Sequence, residues 1–173
     1  MTEEVVITFL REAFEPANAH CEAVNLLLHA DQRVRQDSLD WLRSAAPRSE
    51  GTVALAWRAN ELIGIAVHHG PLRIMFVVVR VGERRQGVGL TLVNALLQRV
   101  RRLEALVALD NVASIALFFQ AGFLATGLQS NGNGKRVLRF ERSLPAATAR
   151  HESRQGGAGR SEWVGDAARA VDE

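Results

Sequence analysis

From Ile74 to Val79 the chain is continuously apolar, and beyond a turn holding Gly87 and Gly89 the residues Leu90, Val93, Leu96, Leu97, Val100 and Leu103 recur on one helical stripe. A short apolar run reads as a buried strand and a 3.6-residue period as an amphipathic helix, so this stretch is a strand-turn-helix unit. A strand that apolar needs cover on both faces, which directs the chain toward an α/β architecture. The turn also has the character of an anion site. The first-turn N–H groups of a helix lack intrahelical partners and lie at the positive end of its dipole, and glycines without Cβ atoms let a ligand approach them. Arg84 and Arg85 add two cations. Such a cradle suits a pyrophosphate, each charge-assisted bond contributing roughly 1.5 to 3 kcal/mol.

Arg84-Arg85-Gln86-Gly87-Val88-Gly89, running on into Leu90, resembles the Arg/Gln-x-x-Gly-x-Gly/Ala signature of the GNAT superfamily of N-acyltransferases, whose loop holds the coenzyme A pyrophosphate. A glycine-rich turn of this kind also serves packing alone in many α/β folds. Downstream, Asn111-Val-Ala-Ser-Ile-Ala-Leu-Phe-Phe-Gln-Ala-Gly-Phe123 resembles the family's next coenzyme-contacting motif, Asn-x-x-Ala/Ser-x-x-Leu-Tyr-x-x-x-Gly-Phe, in order and spacing. The resemblance implies a mixed central sheet, acetyl-CoA as co-substrate, no metal, and the primary amine of a small molecule or peptide as acceptor.

Acyl transfer from a thioester to an amine requires a held thioester, a polarised carbonyl and a deprotonated nucleophile. In the family, the strand before the loop splays from its neighbour and its backbone pairs with the pantetheine amides. The matching positions are Val79 and Val81, with Arg84, Arg85, Gln86, Gly87, Val88, Gly89 and Leu90 around the pyrophosphate. Asn111 matches the family's pantetheine-contacting asparagine and suits a helix N-cap equally well; both roles stand. Phe118 replaces the tyrosine that in many members protonates the leaving thiolate, and the chain has no tyrosine at all. A thiol of pKa about 8.5 leaving as thiolate at pH 7 costs only ~2 kcal/mol, so turnover without that acid is feasible.

The proton on the acceptor is the larger demand. An alkylamine of pKa near 10.4 is mostly protonated at pH 7, and a positioned base typically contributes about 10²- to 10⁴-fold. Arg73 occupies the place where some relatives carry a glutamate, and Leu106 the place used by others. His68, His69 and Glu104 remain as candidate bases. Adjacent strand residues face opposite ways, so at most one of the two histidines reaches the cleft, while Glu104 shares a face with Leu106. The histidine pair equally suits the polar end of a hairpin before Gly70-Pro71, and Glu104 a solvated surface. Arg73 suits an acceptor's carboxylate or a stem snorkelling from the strand's start. His20, Cys21 and His29 form no metal-ligand pattern.

At 173 residues and 47% hydrophobic, the chain has the size and composition of one domain with a real core. Its 21 basic residues face 19 acidic ones, so no overall charge drives it toward nucleic acid. One cysteine, Cys21, excludes an internal disulfide and fits a reducing compartment. The start Met-Thr-Glu-Glu lacks signal-peptide features and no apolar run nears the roughly 20 residues of a membrane span. A cytoplasmic location without membrane contact is expected, and self-association into a homodimer is left open.

Taken in order, Val5 to Leu10 reads as a strand, Ala17 to about Val34 and Gln36 to Ala45 as helices, and Gly51 to Ala59 with Leu62 to Val67 as a hairpin turning near Asn60. Leu72 to Val81 is the central strand, Gly87 to Leu103 a helix, and Ala105 to Leu109 a strand. A helix opened by Asp110 and Asn111 ends at Gly122, and Phe123 to Leu128 with Lys135 to Leu144 form a closing hairpin. The sum is about seven strands and four helices in a domain over 1–144, with a flexible tail over 145–173 that is poor in large apolar residues. The rival of another class is an acyl-CoA-binding module that has lost catalysis, since Phe118, Arg73 and Leu106 are all departures. An NTPase loop would need a lysine followed by Ser/Thr, and a dinucleotide fingerprint a third glycine; both are missing.

Overall fold

In the computed structural model, which describes residues 4–10, 17–28, 51–69, 73–131 and 134–143, seven strands form one mixed sheet. They are β1 (Val6–Leu10), β2 (Gly51–Arg58), β3 (Glu61–His69), β4 (Arg73–Val79), β5 (Arg102–Ala108), β6 (Leu124–Ser130) and β7 (Arg136–Ser143). The spatial order is β1-β2-β3-β4-β5-β7-β6. Neighbours are antiparallel except β4 and β5, which run parallel on either side of helix α2 (Val88–Val100) in the chain. Helix α1 (Ala17–Leu28) follows β1, and α3 (Val112–Gln120) follows β5. These are the three α-helices among the described residues. The helix expected over 36–45, the extension of α1 past Leu28 and the tail over 145–173 all lie outside them.

The period of two along β3 distributes its residues between two cores. Ile65 and Val67 join Val53, Leu55, Phe76 and Val78 against Ala23, Leu26 and Leu27 of α1. Ala66 joins Ala54, Ala56 and Ile74 against α2 and α3 on the other face. Both faces of β4 are thereby covered, as its sequence demands. Gly64 sets how closely α2 approaches: a Cβ there would lie 2.9 Å from Leu92 Cδ1 and 3.2 Å from Val88 Cγ1. At the β2–β3 turn Ala59 and Asn60 both have positive φ, 50° and 64°, the signature of a two-residue type I′ hairpin.

Leu103 corrects the reading by period. It falls on the helical stripe of α2, yet the helix stops at Val100, Arg101 takes the left-handed conformation at φ 66°, and β5 already begins at Arg102. Leu103 is fully buried in the sheet, because β7 pairs along the whole of β5, from Arg102 opposite Ser143 to Ala108 opposite Val137. An antiparallel partner from the far end of the chain decided that boundary.

One irregularity shapes everything that follows. The β3–β4 register shifts between Val67, opposite Phe76, and His68, opposite Ile74, which leaves Met75 as an extra residue in β4. A bulge bends its strand. The pairing of β4 with β5 is confined to Arg73 opposite Glu104, and past the bulge the two parallel strands part.

Candidate functional site

The edge of β4 that faces the gap follows from one hydrogen bond. The Arg80 N–H donates to the Ile63 carbonyl at 2.8 Å, so residue 80 presents its backbone groups to β3. By the two-residue period Val78 and Phe76 do the same, while Val79 and Val77 turn theirs toward the parted side. The Val79 carbonyl there accepts from Arg84 Nε at 3.1 Å. Val81 stands in the short 3₁₀ turn Val81–Glu83; its side chain is exposed and its carbonyl accepts from the Arg84 N–H at 3.4 Å.

The turn leads into the glycine-containing loop. Arg85 adopts φ 62° and Gly87 φ 82°, and Gly87 is the N-cap of α2 without any side-chain cap. Intrahelical bonding starts with the Thr91 N–H donating to the Gly87 carbonyl at 3.0 Å. The first-turn N–H groups of Val88, Gly89 and Leu90 precede it and belong to the set that a helix leaves to outside acceptors. The Val88 side chain is buried and Leu90 packs against the same core, whereas Arg84, Arg85, Gln86 and Gly87 are exposed. At Gly89 three parts of the fold converge. A Cβ there would lie 3.5 Å from Leu117 Cδ1 of α3 and 3.7 Å from Val79 Cγ2 of β4.

The second motif is anchored from within. Asn111 caps α3, its Oδ1 accepting from the Ser114 N–H at 3.1 Å, so the cap reading is realised. The side-chain amide N–H groups of Asn111 meet no acceptor among the described residues. Phe118 is buried, with its ring edge-on to Phe123 at 5.1 Å and stacked on Phe140 at 5.7 Å. It packs the floor beneath α3.

The candidate bases differ in their surroundings. His68 is only 6% exposed and both ring nitrogens are buried without a hydrogen-bond partner among the described residues. Burial, followed by the neighbouring His69, pushes its imidazole below the ordinary 6.5, so it is neutral at pH 7. His68 shares the α2 face with Ala66, and His69 by alternation shares the α1 face with Val67. Glu104 accepts from Arg139 Nη2 at 3.0 Å, and that nitrogen also bridges Glu141 at 2.9 Å. The backbone of Arg73 lies opposite Glu104; its side chain is outside the description.

Arg58 belongs to this site and sequence reasoning missed it. From the end of β2 its guanidinium pairs with Glu83 and donates to Gln86 Oε1 at 3.1 Å. No local signal in the sequence marks it, because it meets the loop only through the pairing of β2, β3 and β4.

Fold and site together define an α/β domain that presents an uncapped helix start and two exposed arginines at the mouth of a parted strand pair. Residues 11–123 match the acetyltransferase (GNAT) family, and the chain belongs to that family. Solved structures share the fold. The IAA acetyltransferase from Bacillus cereus ATCC 14579 is 19% identical, with a TM-score of 0.60 over 82% of this chain and 100% of that one. The ribosomal-protein-S18-alanine N-acetyltransferase from Escherichia coli is 15% identical, with a TM-score of 0.64 over 85% and 98%. The aminoglycoside 6'-N-acetyltransferase from Enterococcus faecium is 16% identical, with a TM-score of 0.64 over 82% and 98%. No curated protein matches the chain in sequence.

Proposed function

We propose that the protein is an acetyl-CoA-dependent N-acetyltransferase acting on the primary amine of a small molecule or peptide. The observation that carries the reading is the convergence of Gly89, Leu117 and Val79, which brings the helix start, the second motif and the open edge of β4 to one place. The pyrophosphate would lie on the N–H groups of Val88, Gly89 and Leu90 with Arg84 and Arg85 beside it, and the pantetheine amides along Val79, with Asn111 across the gap. Bound coenzyme supplies the activated acetyl group. The amine nitrogen attacks the acetyl carbon, a tetrahedral state forms, the C–S bond breaks and the thiolate leaves. With Phe118 in place of a hydroxyl the thiolate departs unprotonated, at a cost of ~2 kcal/mol. The ammonium proton passes to water or to a histidine; His69 is the more accessible of the pair, with its Nδ1 buried, whereas both ring nitrogens of His68 are buried. Acceptors as different as a ribosomal protein's alanine and an aminoglycoside occur among proteins of this fold, in keeping with an amine acceptor of either kind.

A second reading, an acyl-CoA-binding module without turnover, draws on the same Phe118 and on the attachment of Glu104 to Arg139. Thermal unfolding with saturating acetyl-CoA, against ATP and NAD, tests the shared part. A ligand at 100 times its Kd adds about 2.7 kcal/mol, a shift of a few degrees for a domain this size. A shift with acetyl-CoA alone is expected, and its absence in folded protein sinks both readings. Release of free thiol with some member of a broad amine panel then separates the enzyme from the module.

A further inference from the structure

We infer that Arg58 is a positioning residue for the anion loop, acting by cancelling the charge of Glu83 and by tying down Gln86; the inference rests on the coenzyme reading above. The Arg58 and Glu83 side chains are only 19% and 22% exposed, so water screens the pair less than it would on an open surface. Arg58 Nη1 also donates to Gln86 Oε1 at 3.1 Å. With its oxygen engaged, Gln86 turns Nε2 to the Gly82 carbonyl at 3.0 Å. Arg58, Glu83, Gln86 and Gly82 therefore close a ring of contacts that holds the loop before any ligand arrives. Holding a loop in its binding conformation raises affinity by removing the ordering cost.

Charge gives the ring its second role. Glu83 places an anion inside a loop suited to a pyrophosphate, and an unpaired carboxylate there repels the ligand. Arg58 neutralises it, as Glu61 neutralises Arg80 at 2.8 Å. What remains is Arg84 and Arg85, whose charges no described carboxylate offsets. Arg80 also donates to the Leu62 carbonyl at 3.0 Å, so the β2–β3 turn is fastened to the loop at two points. The residue that sets the field of the loop thus stands outside the glycine motif.

Isothermal titration of the full chain with acetyl-CoA at low and high salt tests this, using Arg58→Met and Arg58→Met/Glu83→Gln. The single variant is expected to bind about tenfold more weakly at low salt, with the deficit narrowing as salt rises. The double variant is expected to recover most of that loss although it removes a further charged group. Unchanged affinity in Arg58→Met, or a double variant as weak as the single, overturns the proposal. If Arg58→Met fails to fold, Glu83→Gln alone decides: it keeps an acceptor for Arg58 while freeing its charge, and should bind as tightly as the wild type or more so, whereas a tenfold weakening overturns the proposal. A wild-type chain that binds no acetyl-CoA removes the coenzyme reading itself, a separate result.

Discussion

Among residues with a Cβ, Arg85 is in the least comfortable position of the loop. Its φ of 62° lies in the left-handed region, which costs an ordinary L-residue roughly 1 kcal/mol that glycine would not incur. Glycine in turn loses more chain freedom on folding, about 0.5 to 1 kcal/mol, so the two effects nearly offset. Arg85→Gly should therefore leave stability within about 1 kcal/mol of the wild type while weakening acetyl-CoA binding by about tenfold at low salt. Chemical unfolding and titration of the same preparation check the split; equal affinity would mean that the side chain contacts no anion. The positive φ was not legible in the sequence, because nothing local to Arg85 forces it. It follows from a 3₁₀ turn that must reach the start of α2.

Asn111 caps an element and, under the proposed function, also contacts the coenzyme. Its Oδ1 caps α3 through the Ser114 N–H, and its amide N–H groups, which meet no acceptor among the described residues, would be the donors to a pantetheine carbonyl. Asn111→Asp keeps the acceptor and loses the donor. The melting temperature should stay within about 2 °C, since aspartate caps as well as asparagine, and coenzyme affinity should fall about tenfold. Unchanged affinity would return Asn111 to capping alone. Elements as such were readable: the strands, a hairpin turn near Asn60 and the helix after Gly87 all follow from period and turn chemistry. Not every end was. Leu103 fits a helical stripe and still joins β5, since pairing with β7 outweighs local period.

For the whole molecule, His68 makes stability depend on pH. It is buried, without a hydrogen-bond partner among the described residues, and shifted below 6.5, first by burial and then by His69. A base whose folded pKa is depressed binds protons more readily in the unfolded chain. The stability tied to it is fully present above about pH 6.5 and is lost as pH falls from there toward the folded pKa, by up to about 1.4 kcal/mol per pH unit. Urea unfolding between pH 7.5 and 5.5 should show the decline, and His68→Leu should flatten it. A wild-type profile that is level through this window would mean that His68 finds a partner when protonated.

The sequence by itself determined the alternation of strands and helices, the central place of β4 and the two motifs, because hydrophobic period, glycine freedom and ordered spacing are properties of neighbours along the chain. Only the tertiary structure decided that β4 and β5 part beyond Arg73 and Glu104, that Gly89 meets Leu117 and Val79, and that Arg58 reaches the loop. Those facts depend on a bulge at Met75 and on the register of three strands, and register joins residues far apart in sequence whose contact no local pattern encodes.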